Sequence, residues 1–418
     1  MNRHAAVLAA DSASTVTRWV DGNSETRYFK GANKIFQLSH HQPVGVMIFN
    51  SADLLNVPWE ILLKTFRDIL ADKTFNNLEG YAEEFFSFLD GNGRFFPDEV
   101  QREDLVSAAQ RAAFQIIFGS VDTIDELKNN PAAIHKLRDA IAARNGKIAD
   151  VALPARITDD HLQRALASHK DRVAAELKVY LNGLDDDVRN ALAELAVREV
   201  FKRPGDLFGS AGLVFAGFGD HDIFPHMIEY GSNGMLEGTQ VIQESKRRAI
   251  DHTVPASLDA FAQTSMSDTF TTGFSADVYN ALMNVLTDKL RNFAGKLCDA
   301  VNTKPGDIPA LDQLIKEAKD GISDGWFESA RREHAYPLRR VLGDLPVEEM
   351  AELAETLVNL QSLKEKVTKP SASVGGPVDV AIITKNEGLI WVKRKLFFDG
   401  ALNPRYQYRQ QAKYRQGL

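Results

Sequence analysis

Asp11 closes the apolar run AAVLAAD and Lys34 opens the run KIFQL, and these two residues suggest the first chemistry in the sequence. A lysine set immediately before an isoleucine and a phenylalanine can turn its ammonium inward, and an inward charge needs an acid. Asp11 is the acid for that pairing. Read separately, Asp11 at a strand end is a turn or cap residue and Lys34 is a solvated edge lysine. His221, Asp222, His226 and Glu229 are donors of metal-binding type. Histidines five residues apart with Pro225 between them match neither one helix face nor a common zinc spacing, so no metal is expected. The segment DGNGRFFPDE at 90–99 opens like a calcium loop but lacks the required glycine and the later ligands, and it reads as a turn between helices. Gly375 and Gly376 have no P-loop or dinucleotide pattern around them. They read as structural glycines that permit close approach of a neighbouring strand, and no cofactor is expected.

The elements that must carry these groups alternate in texture. The first fifty residues hold short β-like runs, AAVLAAD at 5–11, a polar VDGNSET segment at 20–26, KIFQL at 34–38 and VGVMIF at 44–49, which read as three strands in a meander. A helix is expected from Pro58, with Trp59, Leu62, Leu63, Phe66 and Leu70 at helical spacing. Residues 79–202 read as helical throughout. Leu105, Ala108, Ala109, Ala112, Ile116 and Ile117 form one stripe and Leu162, Leu166, Val173, Leu177 and Leu181 another, with breaks at NNP (129–131), Leu153-Pro154 and Asn182-Gly183. Strand character returns at GLVFAGFGD (212–220) and PHMIEYGSNG (225–234) as two buried, paired strands. Residues 276–302, 308–332 and 346–364 are helical in pattern, and PVDVAIIT, a KNEG turn and LIWVKRKLFF form a closing hairpin. Strands, helices, strands, helices, strands is an order that suits stacked sheets between helical layers, an α+β arrangement, better than a βαβ alternation.

With 418 residues and 44% of them hydrophobic, the chain can bury a large core in one or two domains. No apolar run approaches the ~18 residues that span a bilayer, and a single cysteine, Cys298, excludes an internal disulfide and a thiolate metal centre. A reducing cytoplasm and no membrane partner are the expectations. A formal charge of −8 argues against a nucleic-acid partner. The last residues interleave Arg405, Arg409, Lys413 and Arg415 with Tyr406, Tyr408 and Tyr414, a mix that can pair with phosphates and stack on bases. At the end of an acidic chain it reads as a solvated or subunit-contacting tail.

Four segments together resemble the proteasome β-type family of N-terminal-nucleophile (Ntn) hydrolases, which includes bacterial proteasome-like proteases. VLAAD at 7–11 is similar to the strand that ends in the family's active-site aspartate, and NKIFQL at 33–38 to the strand that bears its lysine. GLVFAGFGDHDIFPHMIEYGSNG is similar to its central strand pair, and GGPVDVAIITKNEGLIWVKRK to its closing hairpin, in the same order along the chain. The resemblance implies a four-layer αββα sandwich with a large all-helical insertion. It implies boundaries of 1–78 for the first strands and helix, 79–202 for the insertion, 203–400 for the rest of the sandwich with added helices, and 401–418 for a basic tail.

The chemistry implied is a threonine-type peptidase or amidohydrolase acting on a peptide or amide substrate. An N-terminal hydroxyl attacks the carbonyl while its own α-amino group takes the proton. Asp11 and Lys34 are the implied catalytic partners, the lysine favouring the ionised hydroxyl and the aspartate holding the lysine. Ser373 in KPSASVGG matches the family's serine, without the aspartate that usually accompanies it. Only MNRH precedes Ala5, and Asn2 cannot be the nucleophile because an amide is not one. Two expectations therefore stand: a nucleophile upstream of Met1 in the natural product, or a non-catalytic relative that serves as a scaffold or ring-forming homo-oligomer.

Overall fold

The apolar run AVLAA forms a strand, β1 (Ala6–Ala10), whose burial alternates, with Ala6, Leu8 and Ala10 buried. The structure is a computed structural model and describes residues 1–20, 23–128, 130–304, 306, 308–368 and 374–415, with only the backbone for 16–20, 23, 24 and 413–415. β2 (Ala13–Val20) and β3 (Asn23–Lys30) pair antiparallel with each other, from Ala13↔Lys30 to Val20↔Asn23. This ladder corrects the expected meander. Thr15, Val16, Thr17 and Val20 are β-branched and favour a strand, although the stretch is too polar to announce a buried one.

After β4 (Ile35–Gln37), β5 (Val44–Asn50) and the two-residue strands β6 (Asp53–Leu54) and β7 (Val57–Pro58), the helix α1 runs over Trp59–Leu70. Pro58 stands at its N-cap, and Trp59, Leu62, Leu63, Phe66 and Leu70 are its buried side. Helices then succeed one another: α2 (Leu78–Leu89), α3 (Asp98–Phe118), a 3-10 turn at Ile124–Leu127, α4 (Pro131–Ala149), α5 (Asp159–Tyr180), α6 (Asp186–Lys202) and the short α7 (Pro204–Leu207). The starts of α2, α4 and α5 are capped by side chains. Asn77 accepts Gly80 N, Asn130 accepts Ala132 N beside Pro131, and Thr158 accepts His161 N.

Strands β8 (Ala211–Gly217), β9 (His226–Leu236) and β10 (Thr239–Ala249) come next, the last of them not expected. Five helices follow, α8 (Ser265–Thr272), α9 (Ala276–Ala300), α10 (Leu311–Ala330), α11 (Tyr336–Asp344) and α12 (Val347–Thr368), with a π-helical turn at Arg331–Ala335. β11 (Asp379–Thr384), β12 (Gly388–Lys393) and α13 (Pro404–Arg415) close the chain.

The chain forms two compact units. The first comprises Met1–Ile35, Ile223–His226 and Arg248–Gln407, and the second Phe36–Asp222, Met227–Arg247 and the chain from Tyr408. In the first unit β11 lies between β1 and β12, and β1 meets β11 antiparallel from Ala6↔Ile383 to Ala10↔Asp379. α12 covers this sheet through Ala351, packed with Ala5, Val378, Val380 and Ile382.

In the second unit a five-stranded sheet has the order β10-β9-β8-β5-β4, apart from end residues of β4, β9 and β10 that fall in the first unit. The fully apolar β8 pairs with β5 from Val44↔Gly217 to Asn50↔Ala211. α1 and α2 bring Trp59, Phe66 and Phe85 onto it, and ring centroids of Phe85–Phe215 and Phe86–Tyr230 lie 6.0 and 5.0 Å apart. α3 to α7 build a separate core from residues such as Leu105, Ile117, Leu177 and Val197. Within it Glu199 of α6, only 3% exposed, is held between Arg144 of α4 and Arg203. The architecture is mixed α and β with several separate sheets, which is compatible with an α+β fold. Among the described residues no helix is long and apolar enough to cross a membrane.

Candidate active site

The paired strands β1 and β11 bring the two ends of the sequence together. Ala10 opposes Asp379, so Asp11 leaves the sheet beside the segment that enters β11. The Asp11 carboxylate accepts the Gly375 N–H at 2.7 Å and the Ala13 N–H at 3.1 Å on Oδ2. Its Oδ1 accepts Lys34 Nζ at 2.6 Å. Ser12 continues the tie: its N–H donates to Gly375 O at 3.2 Å, its hydroxyl donates to Pro377 O, and its carbonyl accepts Ala32 N at 3.0 Å. Asp11 thus fastens three stretches of chain, the end of β1, the loop before β4 and the loop before β11.

Gly376 makes the approach of these stretches feasible. Its φ is +83°, and a Cβ there would stand 3.1 Å from Lys30 Cβ and 3.5 Å from Ser12 Cβ.

Three hydrogen bonds to a carboxylate with about four acceptor sites leave Asp11 little capacity to serve as a base. Its work is to hold Lys34. The ammonium carries three N–H groups, one given to Asp11, and its side chain is 22% exposed against 11% for Asp11. The arrangement presents a fixed cation, partly open to solvent, that can steady an oxyanion or lower the proton affinity of a hydroxyl placed beside it. The Ser12 hydroxyl does not fill that place, because the residue is wholly buried and the hydroxyl is bonded to Pro377 O.

The Met1 amino group lies elsewhere. It donates to Ser257 O at 2.8 Å, and burial lowers its pKa to about 6, partly opposed by the nearby charge of Asp259. β1 stands between it and Asp11, and at a rise of ~3.3 Å per residue that strand is about 13 Å long. Asn2 is fully buried: its side-chain N–H groups donate to Leu342 O and Leu345 O at 3.2 and 3.0 Å, and its Oδ1 accepts His4 N at 2.9 Å. These bonds anchor the start of the chain to the last turn of α11 and the segment that joins it to α12.

Of the three residues expected to act together, the structure joins Asp11 and Lys34, while Ser373 lies outside the described residues. Sequence reasoning missed Ser12 and the backbone of Gly375 as members of the tie. It also missed Ser362 of α12, whose hydroxyl would be 3.3 Å from a Cβ at Gly375. The adjacency of Asp11 and Ser12 was the available signal for the first, and nothing in the sequence singles out Ser362.

His221 and Asp222 have backbone work. Asp222 accepts Gly219 N at 2.8 Å and Leu78 N at 3.3 Å, which serves the first turn of α2, and His221 N donates to Asn76 O. Among the described residues no three His, Cys, Asp or Glu side chains are grouped to hold a metal. Asp90, at the head of the calcium-like segment, pairs with Arg156 and accepts Gln240 N at 2.9 Å. The basic tail is helical over Pro404–Arg415, with the side chains from 413 onward outside the described residues. The chain matches no protein-family model, no curated protein and no solved structure.

Proposed function

We propose that the chain carries the charged half of a proteasome-type Ntn-hydrolase site, in a four-layer αββα fold with the helices from Leu78 to Leu207 as an insertion, and that its reaction is hydrolysis of a peptide or other amide bond. The 2.6 Å ion pair between Asp11 and Lys34 carries this reading, because these are the two residues that the resemblance nominates as lysine and holder. The family-like segments also fall, in order, on β1, on the loop leading into β4, on β8 and β9, and on β11 and β12. In this reading Lys34 faces a hydroxyl or thiol nucleophile supplied from outside the residues of this sequence. Its ammonium stabilises the ionised nucleophile and Asp11 keeps the ammonium in place.

The test is production of the protein from its own gene with the upstream DNA retained, followed by intact mass, N-terminal sequencing and turnover of a panel of fluorogenic peptides and amides. A mature chain that begins with Thr, Ser or Cys and turns over substrate supports the proposal. Lys34→Ala should then reduce kcat by about two to four orders of magnitude, and a fully active variant would sink the assignment.

One observation favours a second reading, in which the same fold serves as a non-catalytic scaffold. Among the described residues Lys34 Nζ donates to Asp11 and to no hydroxyl or thiol. A natural product that begins at Met1 and releases no product from any substrate of the panel selects this reading.

A further inference from the structure

The helical hairpin of α9 and α10 is too poorly buried to account for its own order. Of the 25 residues of α9 only Met283 and Cys298 are buried, and of the 20 residues of α10 only Ala330. Helices of this kind draw most of their stability from packing of an apolar face, and so small a burial does not offset the conformational entropy of ordering them. The apolar face is present. Val278, Leu282, Val285 and Phe293 of α9 fall on one side at helical spacing and are 55, 36, 54 and 61% exposed. On α10, Leu314 and Ile322 are 53 and 42% exposed.

The charges on α9 indicate what covers it. Its first half carries Asp277 and Asp288 and no cation, whereas its second half carries Lys289, Arg291 and Lys296 against Asp299. Asp288, Lys289, Arg291 and Lys296 are exposed and form no ion pair with a described residue. A helix acidic at one end and basic at the other is complementary to itself when reversed. α10 extends the pattern, since its second half carries Asp324 and Glu328 and no cation up to Ala330.

We propose that α9 is the dimerisation element of this protein and pairs antiparallel with α9 of a second copy, a contact independent of the chemistry at Lys34. An antiparallel crossing centred near Thr287 sets the acidic half of one copy against the basic half of the other.

The experiment is analytical ultracentrifugation of the full chain and of two charge variants, Asp277→Lys/Asp288→Lys and Lys289→Glu/Lys296→Glu. The unsubstituted protein should sediment at twice 46.4 kDa at micromolar concentration. Each variant, which repels its own copy, should dimerise at least about tenfold more weakly, and an equal mixture of the two should recover the dimer because each then meets its opposite. A monomeric parent, variants that dimerise as well as the parent, or a mixture that stays monomeric would each overturn the proposal. Amide exchange of the unsubstituted protein supplies a check that needs no variant. Exchange in α9 should quicken on dilution, and exchange independent of concentration overturns the proposal.

Discussion

Asp11 and Lys34, 23 residues apart in sequence, meet at 2.6 Å at the end of the strand that brings the two ends of the chain together. Among the described residues the lysine is the one cation paired with the carboxylate, and the carboxylate's other donors are backbone N–H groups of Ala13 and Gly375. Replacing Lys34 by Met strips a mostly buried carboxylate of its counter-charge. We expect a loss of about 2–3 kcal/mol, at or below the low end of the range for a wholly buried pair because Lys34 is partly exposed. Urea unfolding of Lys34→Met, Asp11→Asn and the double variant measures the coupling. Strictly additive losses would mean that the pair contributes nothing as a pair.

Gly376 offers a contrast with Gly388. Both have positive φ, +83° and +72°, but a Cβ at Gly376 meets Lys30 and Ser12 while one at Gly388 meets nothing within 4 Å. Gly388→Ala should cost about 1 kcal/mol from backbone conformation alone, and Gly376→Ala about 1 kcal/mol more from crowding. Equal midpoints of denaturation for the two would show that the loop before β11 yields freely.

The Met1 amino group makes stability depend on pH in a chain that begins there. Its pKa falls from 8.0 in the unfolded chain to about 6 in the folded one. Between those values the unfolded chain binds the proton and the folded chain does not, so stability rises with pH across that window. It is lost as pH falls from 8 towards 6, by about 2–3 kcal/mol. Acetylating the amino group should flatten this part of the profile. An unchanged slope after acetylation assigns it to other groups.

In the helical core of the second unit, Glu199 is 3% exposed and faces Arg144 and Arg203. Glu199→Gln keeps the shape but removes the charge that both guanidiniums face, and it should destabilise the protein by about 2–4 kcal/mol. Because each arginine is 36% exposed and can turn to water, Arg203→Gln should cost much less than Glu199→Gln. Chemical denaturation followed by circular dichroism at 222 nm, dominated by helix, reads both changes, and the reverse ranking would contradict this description.

What was legible in the sequence follows the strength of local signals. α1 could be read residue by residue, because Trp59, Leu62, Leu63, Phe66 and Leu70 repeat at helical spacing after Pro58, and all five are buried. The stripes of α3 and α5 were equally plain. β2, β3 and β10 were not, since their residues are polar or charged, as in TQVIQESKRRA, and a half-solvated strand lacks the apolar run that marks a buried one. The pairing of Asp11 with Lys34 was readable from the family resemblance of VLAAD and NKIFQL and from the need for an acid near an inward lysine. That Gly375 completes it depends on a ladder between the two ends of the chain, which no local pattern encodes.

The same ladder sets the order in which the protein can be made. The Asp11 carboxylate accepts a donor 364 residues further on, and β1 has its ladder partner in β11. Loop closure over such a span comes late, and during synthesis β1 must wait for nearly the whole chain to leave the ribosome. The sheet and helices of the second unit are drawn chiefly from the continuous stretch Phe36–Asp222 and can form well before that. A nascent chain therefore has no assembled Asp11–Gly375 tie until translation is almost complete, and truncation between β10 and Gly375 leaves the residues of the helical core in place with the carboxylate unmoored.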